Sequence, residues 1–131
     1  MDKATASLLQ GSLEKSREKL RVAEHLLQSG EYEDAVSRAY YSAFHAAQAA
    51  LLTEGLTAGT HQGVVNLFGL HLVKTGKFPK QLGKFLANLK DDRENSDDEV
   101  YSGIDEETAQ HAVEEATAFF TAVDAYVKRL L

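Results

Sequence analysis

The 131-residue chain contains no cysteine and no tryptophan, one methionine and one proline. Without cysteine there are no disulfides, no thiolate metal sites and no cysteine nucleophile, and thiols offer no clue to a redox compartment. A single proline leaves long stretches free of the residue that interrupts helices. Strand signals are nearly absent, because no segment alternates polar and apolar side chains among β-branched residues. No apolar run reaches the ~20 residues needed to cross a bilayer. The start, Met1-Asp2-Lys3-Ala4, lacks the apolar core of a signal peptide. A cytoplasmic protein with no membrane role is therefore expected.

What is present points to helices. The length suits one domain over residues 1–131, able to bury roughly two-thirds of its unfolded surface. In the first segment Leu13, Leu20, Ala23 and Leu27 share a face, and Ser29-Gly30 closes the helix. A second helix starts near Glu31, where Glu31, Glu33 and Asp34 suit the positive end of the dipole, and runs to Gly55. Its stripe of small residues, Ala35, Ala39, Ala43, Ala47 and Ala50, lets a neighbour approach closely. Thr60 caps a third helix that ends at Thr75-Gly76. Pro79 opens a short fourth helix with Leu82, Phe85, Leu86 and Leu89 on its apolar face. From Asp91 to Gly103 no apolar period is visible, which predicts a surface loop; Asp105 then starts the last helix. The expected fold is all-α, an antiparallel up-and-down bundle of four long helices plus a short one.

The net charge is −6, from 14 Lys and Arg against 20 Asp and Glu. That balance discourages nonspecific coating of nucleic acid. It is unevenly spread, since nine of the acids lie between Asp91 and Glu107 with Arg93 as the one base among them. The five histidines (His25, His45, His61, His71 and His111) include no pair one helical turn apart, so neither a metal nor a cofactor is expected. Gly-rich phosphate loops and nucleophile elbows are missing.

Two stretches stand out. On the second helix, Arg38-Ala39-Tyr40-Tyr41-Ser42-Ala43-Phe44-His45 puts Arg38, Tyr41 and His45 on one face. Its consecutive tyrosines point about 100° apart, so both cannot face one core, and one hydroxyl is expected at a boundary or an interface. The second stretch, Asp91 to Tyr101, holds Arg93 among six acids, a poor phosphate strip on sequence chemistry alone.

The run from Gly30 to Leu52, with the tyrosine pair at its centre, resembles the second-helix signature of HEPN domains, in particular the prokaryotic UPF0332 branch. Thr60-His61-Gln62-Gly63-Val64, the stretch from Phe68 to Gly76, and Arg93 to Asp97 are similar to the later elements of that branch, in the same order. The resemblance spans Ser16 to Leu130 and implies a helical bundle. The family includes metal-independent ribonucleases, often toxins paired with a small nucleotidyltransferase, in which an Arg is followed by four to six residues and a His. Two copies meet across a homodimer to form the cleft. Such an Arg holds the scissile phosphate while the His moves the proton of the ribose hydroxyl. Counting from Arg93, this chain has Asp98, Glu99 and Val100 at the positions for that His. A carboxylate there repels the phosphate and is a poor proton donor near neutrality.

The resemblance therefore implies a homodimeric binding module working with a nucleotidyltransferase-like partner in a toxin–antitoxin pair, taking a nucleotide or RNA without cleaving it. Its candidate binding or interface residues are Arg38, Tyr40, Tyr41, His45, Arg93, Asp97 and Tyr101, with Tyr101 also a candidate for modification. The competing readings are a ribonuclease toxin that uses Arg93 with a relocated histidine, His61 first and His45 second, and a purely structural dimeric bundle.

Overall fold

The helix boundaries follow local chemistry. In the computed structural model, which describes the backbone of residues 1–98 and 103–131 and their side chains except those of 96–98, α1 is Lys3–Gln28 and α2 is Tyr32–Leu52. The Asp2 carboxylate accepts a hydrogen bond from the Thr5 N–H at 2.7 Å and so caps α1. At its other end Gly30 takes φ 79° while the Glu31 N–H reaches back to the Leu26 carbonyl at 2.9 Å. That left-handed turn reverses the chain directly into α2. Thr60 caps α3 (His61–Phe68) through its hydroxyl, which accepts from the Gly63 N–H at 2.9 Å. Asp105 does the same for α5 (Glu106–Leu130) through the Thr108 N–H.

Two expectations need correction. The third helix does not run on regularly to Gly76. It widens into one π-helical turn over Gly69–Val73, with the Lys74 N–H bonded to the Gly69 carbonyl, which keeps Phe68 and Leu72 both buried. The stretch expected to be a loop from Asp91 is helical as far as Asp98, so α4 is Lys80–Asp98 and is long. The apolar period fades there because this part of α4 covers tyrosine rings with an arginine instead of a core with aliphatics. A Lys90–Glu94 ion pair one turn apart supports it. Among the described residues α3, with its π turn, is thus the short element of the all-α, up-and-down bundle, and α1, α2, α4 and α5 are the long ones.

Helix α2 touches every other helix. Its buried residues lie almost all round its circumference, and most are alanine: Ala35, Ala39, Ala43, Ala46, Ala47, Ala49 and Ala50 are fully buried. Across from it, α5 offers Ala109, Ala112, Ala116 and Phe119, and α1 offers Leu9, Leu13, Leu20 and Ala23. At the α1–α2 contact two serines replace hydrophobes. The Ser16 hydroxyl donates to the Ser42 carbonyl at 2.7 Å, and the Ser42 hydroxyl donates to the Ser16 carbonyl at 2.9 Å. Both serines are fully buried, so this reciprocal pair satisfies polar groups that would otherwise be costly to remove from water. At one end of the bundle Phe68, Phe78, Phe119 and Tyr126 form an aromatic cluster with ring centroids 4.8–5.5 Å apart.

The tight α1–α2 approach yields a stability test. Ser16→Ala removes one buried hydrogen bond and is expected to cost about 1 kcal/mol, while Ser42→Leu forces bulk between the helices and costs about 1–3 kcal/mol or more. Urea unfolding followed by circular dichroism reads both. A Ser42→Leu protein as stable as the parent would show that the helices are not held at this distance.

Candidate functional site

The α2 tyrosine stretch sets the site. Steps of about 100° along the helix send Tyr40 inward, fully buried, and leave Tyr41, Phe44 and His45 half-buried on the flank. The start of α3 brings His61 against the same flank. Its ring stacks on Phe44 with centroids 4.5 Å apart and lies 5.6 Å from the Tyr40 ring and 5.9 Å from that of Tyr41. From the other side α4 brings Arg93, whose guanidinium carbon lies 5.2 Å from the Tyr41 ring centroid and 5.8 Å from that of Tyr40. These are cation–π distances, and they hold a positive charge at the mouth of an aromatic nest.

One hydrogen bond joins the buried and the accessible parts. The Tyr40 hydroxyl lies 2.8 Å from Nδ1 of His61. Burial pushes the Tyr40 phenol up to about 12, although Arg93 pulls the other way, so it keeps its proton at any ordinary pH. A buried hydroxyl hydrogen needs an acceptor, and Nδ1 supplies one. The neutral His61 ring then carries its hydrogen on Nε2. Burial, followed by the charges of Arg93 and Lys90, holds the His61 pKa below the usual histidine value, with Glu94 opposing. His45 is also held low, first by burial; its Nδ1 hydrogen bond to Gln48 at 3.1 Å opposes this, and Lys15, Lys19 and His61 add to it. Glu94, close by, has its carboxyl held below the usual range mainly by the hydrogen bond from Lys90.

The structure thus brings together Tyr40, Tyr41, His61 and Arg93. Arg38 and His45 stand beside them, on the far side of Tyr41, facing α1 across a groove that Lys15 and Lys19 also line. Asp97 stands on α4 one turn beyond Arg93, its side chain outside the described residues, as is that of Asp98; Glu99, Val100 and Tyr101 lie wholly outside them. Phe44, Lys90, Lys15 and Lys19 were not singled out as site residues from the sequence. The two α1 lysines carried no signal in the sequence, where they sit in a mixed-charge run with Glu14 and Glu18. Among the described residues no His, Asp and Glu side chains converge as a metal site, and no helix is long and apolar enough to cross a membrane. Chemically the site offers a guanidinium and an imidazole N–H, both donors, above stacked rings.

Comparison with known proteins agrees with this architecture. The HEPN domain family model matches residues 9–126. A UPF0332 protein of Thermotoga maritima is 34% identical over 88% of this chain and 88% of its own length. A protein of Methanocaldococcus jannaschii named putative toxin MJ0605 is 33% identical over 94% of this chain and 91% of its own. The crystal structure of TT1696 from Thermus thermophilus superposes with a TM-score of 0.77, covering 90% of this chain and 97% of that one at 22% identity, a likeness of fold.

The Tyr40–His61 bond can be tested by titration. A hydrogen bond donated to neutral Nδ1 disfavours protonation, so Tyr40→Phe is expected to raise the His61 midpoint in ring NMR, whose nitrogen shifts report a hydrogen on Nε2 in the parent. Because His45 and His61 are held below 6.5 in the fold, the unfolded chain binds more protons. Their contribution to stability is complete above about 6.5 and is lost as the pH falls through the folded midpoints. An unchanged or lowered His61 midpoint in Tyr40→Phe would reverse the assigned direction of the bond.

Proposed function

The chain belongs to the HEPN domain family, and on that premise we propose that it is a toxin-type HEPN module that grips a phosphate of RNA or of a nucleotide without cleaving it. The observation that carries this reading is the Tyr40–His61 hydrogen bond beside the Arg93 guanidinium. With the Tyr40 hydroxyl donating to Nδ1, His61 presents its Nε2–H rather than a lone pair. A general base needs that lone pair; a phosphate oxygen needs the donor. Arg93 supplies the fixed charge, and its planar fork of N–H donors matches phosphate oxygens. The residues at positions 98 to 100, Asp98, Glu99 and Val100, add no histidine to restore proton transfer.

In this reading the module works as a homodimer with a nucleotidyltransferase-like partner, in keeping with relatives of the family named putative toxins. Tyr101 is its proposed acceptor for a group added by that partner. A second reading draws on the same cluster. His61 shares the tyrosine rings with Arg93, so it is the relocated histidine a ribonuclease would require. For that chemistry the Tyr40 hydroxyl must release Nδ1.

Fluorescence anisotropy with labelled RNA, and calorimetry with AMP, separate the two. Arg93→Ala is expected to weaken both ligands by about ten-fold to a hundred-fold, the effect of losing a charge-assisted hydrogen bond. His61→Ala is expected to weaken them several-fold, and affinity should rise as the pH falls, because a bound phosphate favours the imidazolium. RNA should remain whole on a gel in the presence of a chelator. Cleavage lost in both variants would replace binding by ribonuclease action. Absence of binding to either ligand would sink the reading.

A further inference from the structure

On the far side of Tyr41 from Arg93 lies a groove of about 390 Å³ between α1 and α2. Lys15 and Lys19 rise one turn apart on α1, and Arg38 faces them from α2. Glu18 is the single acid on its lining, so three fixed positive charges meet one negative. The floor is aromatic, formed by Tyr41 and His45, whose centroids are 6.5 Å apart. The charges of both lysines reach His45 strongly enough to help hold it neutral.

Tyr41 is therefore a shared wall. Arg93 and His61 stand within 6 Å of it on one side, and the lysine groove opens on the other. For a chain that is −6 overall, with nine acids gathered between Asp91 and Glu107, this is a local surface of the opposite sign. Positive groups gathered about a half-buried ring are a pattern that accepts a phosphodiester backbone with one base laid on the aromatic face. A mononucleotide fills one such position and leaves the second empty. An acidic protein segment would use the cations but not the ring.

We propose that the Lys15–Lys19–Arg38 groove is a second phosphate subsite, and that the ligand is single-stranded RNA with one phosphate at Arg93 and His61, a neighbouring one in the groove, and a base against Tyr41. This rests on the phosphate-gripping reading of the Arg93 site and extends it. Arg38 is the planar contact of the subsite and the lysines are its point charges. Since Lys15 and Arg38 are exposed and Lys19 half-buried, none supports the core.

The test compares a labelled oligouridylate with AMP on the parent and on the Lys15→Ala/Lys19→Ala/Arg38→Ala chain, with circular dichroism to verify folding. The oligouridylate is expected to bind at least ten-fold more weakly to the triple variant, and its log–log salt slope to fall by about two, as for three lost backbone contacts to a single strand. AMP affinity is expected to stay within two-fold. Unchanged oligouridylate affinity and slope would overturn the subsite while leaving the Arg93 site standing. An equal loss for AMP would overturn it as a separate subsite. Displacement of the RNA by poly-glutamate at the same charge concentration would replace RNA by an acidic protein. A parent chain that binds neither probe would overturn the Arg93 reading as well.

Discussion

Helix α2 is enclosed on nearly every side, and the rest of the molecule is arranged to make that possible. Its neighbours can close around it because the enclosed positions are alanine, with Ser42 locked to Ser16 where α1 comes nearest. A helix so confined has little room for large side chains. It spends that room on Tyr40, Tyr41 and Phe44, next to one another on the flank where α3 begins and α4 passes. The site is thus built on the most enclosed helix of the fold. Side chains fixed by close packing hold their geometry, which suits a group that must present donors at set positions.

The continuation of α4 through Asp98 changes the electrostatic argument. Along a loop, Arg93 would share one space with Asp91, Asp92 and Glu94. On a helix, successive residues leave the axis about 100° apart. Asp91 and Asp92 turn toward α5 and line a groove of about 630 Å³ with Asn88, His111, Glu114 and Glu115. There burial raises the Asp92 and Glu115 carboxyls above their usual range. Lys90 and Arg93 turn toward His61 and the tyrosines, accompanied by Glu94, which Lys90 occupies. One helix thereby separates a mixed-sign sequence into an acidic face and a cationic face. The net charge of −6 describes neither.

Where local chemistry decides structure, the sequence was readable. The caps at Thr60 and Asp105, the reversal at Gly30 and the apolar face of α1 all depend on residues within one or two turns. The split between Tyr40 and Tyr41 was legible for a similar reason, since adjacent rings cannot both be core. What was not legible depends on partners distant in sequence. Arg93 replaces an apolar residue only because Tyr40 and Tyr41, some fifty positions earlier, offer their ring faces. Ser16 looks misplaced on an apolar stripe until Ser42 stands opposite it. Lys15 and Lys19 look like ordinary solvated lysines until Arg38 and His45 come to face them across a groove. The π turn at Gly69 to Val73 has no local signature beyond its glycine.

In the proposed reading, the choice between holding a phosphate and cutting RNA comes down to one hydrogen. His61 and Arg93 would serve either purpose by position alone. What distinguishes them is the Tyr40 hydroxyl, which is too deeply buried to give its hydrogen to water. Assigned as the donor to Nδ1, it leaves the imidazole hydrogen on Nε2 and makes the ring a donor there. Phosphate oxygens accept from such a group, whereas a ribose hydroxyl would need it to accept. Tyr40 is buried because α2 is enclosed, and α2 is enclosed because its neighbours meet it at alanines and paired serines. The packing of the central helix therefore reaches the chemistry of the site through a single tautomer. An exchange of His61 that left Tyr40 without an acceptor would disturb the core as well as the ligand.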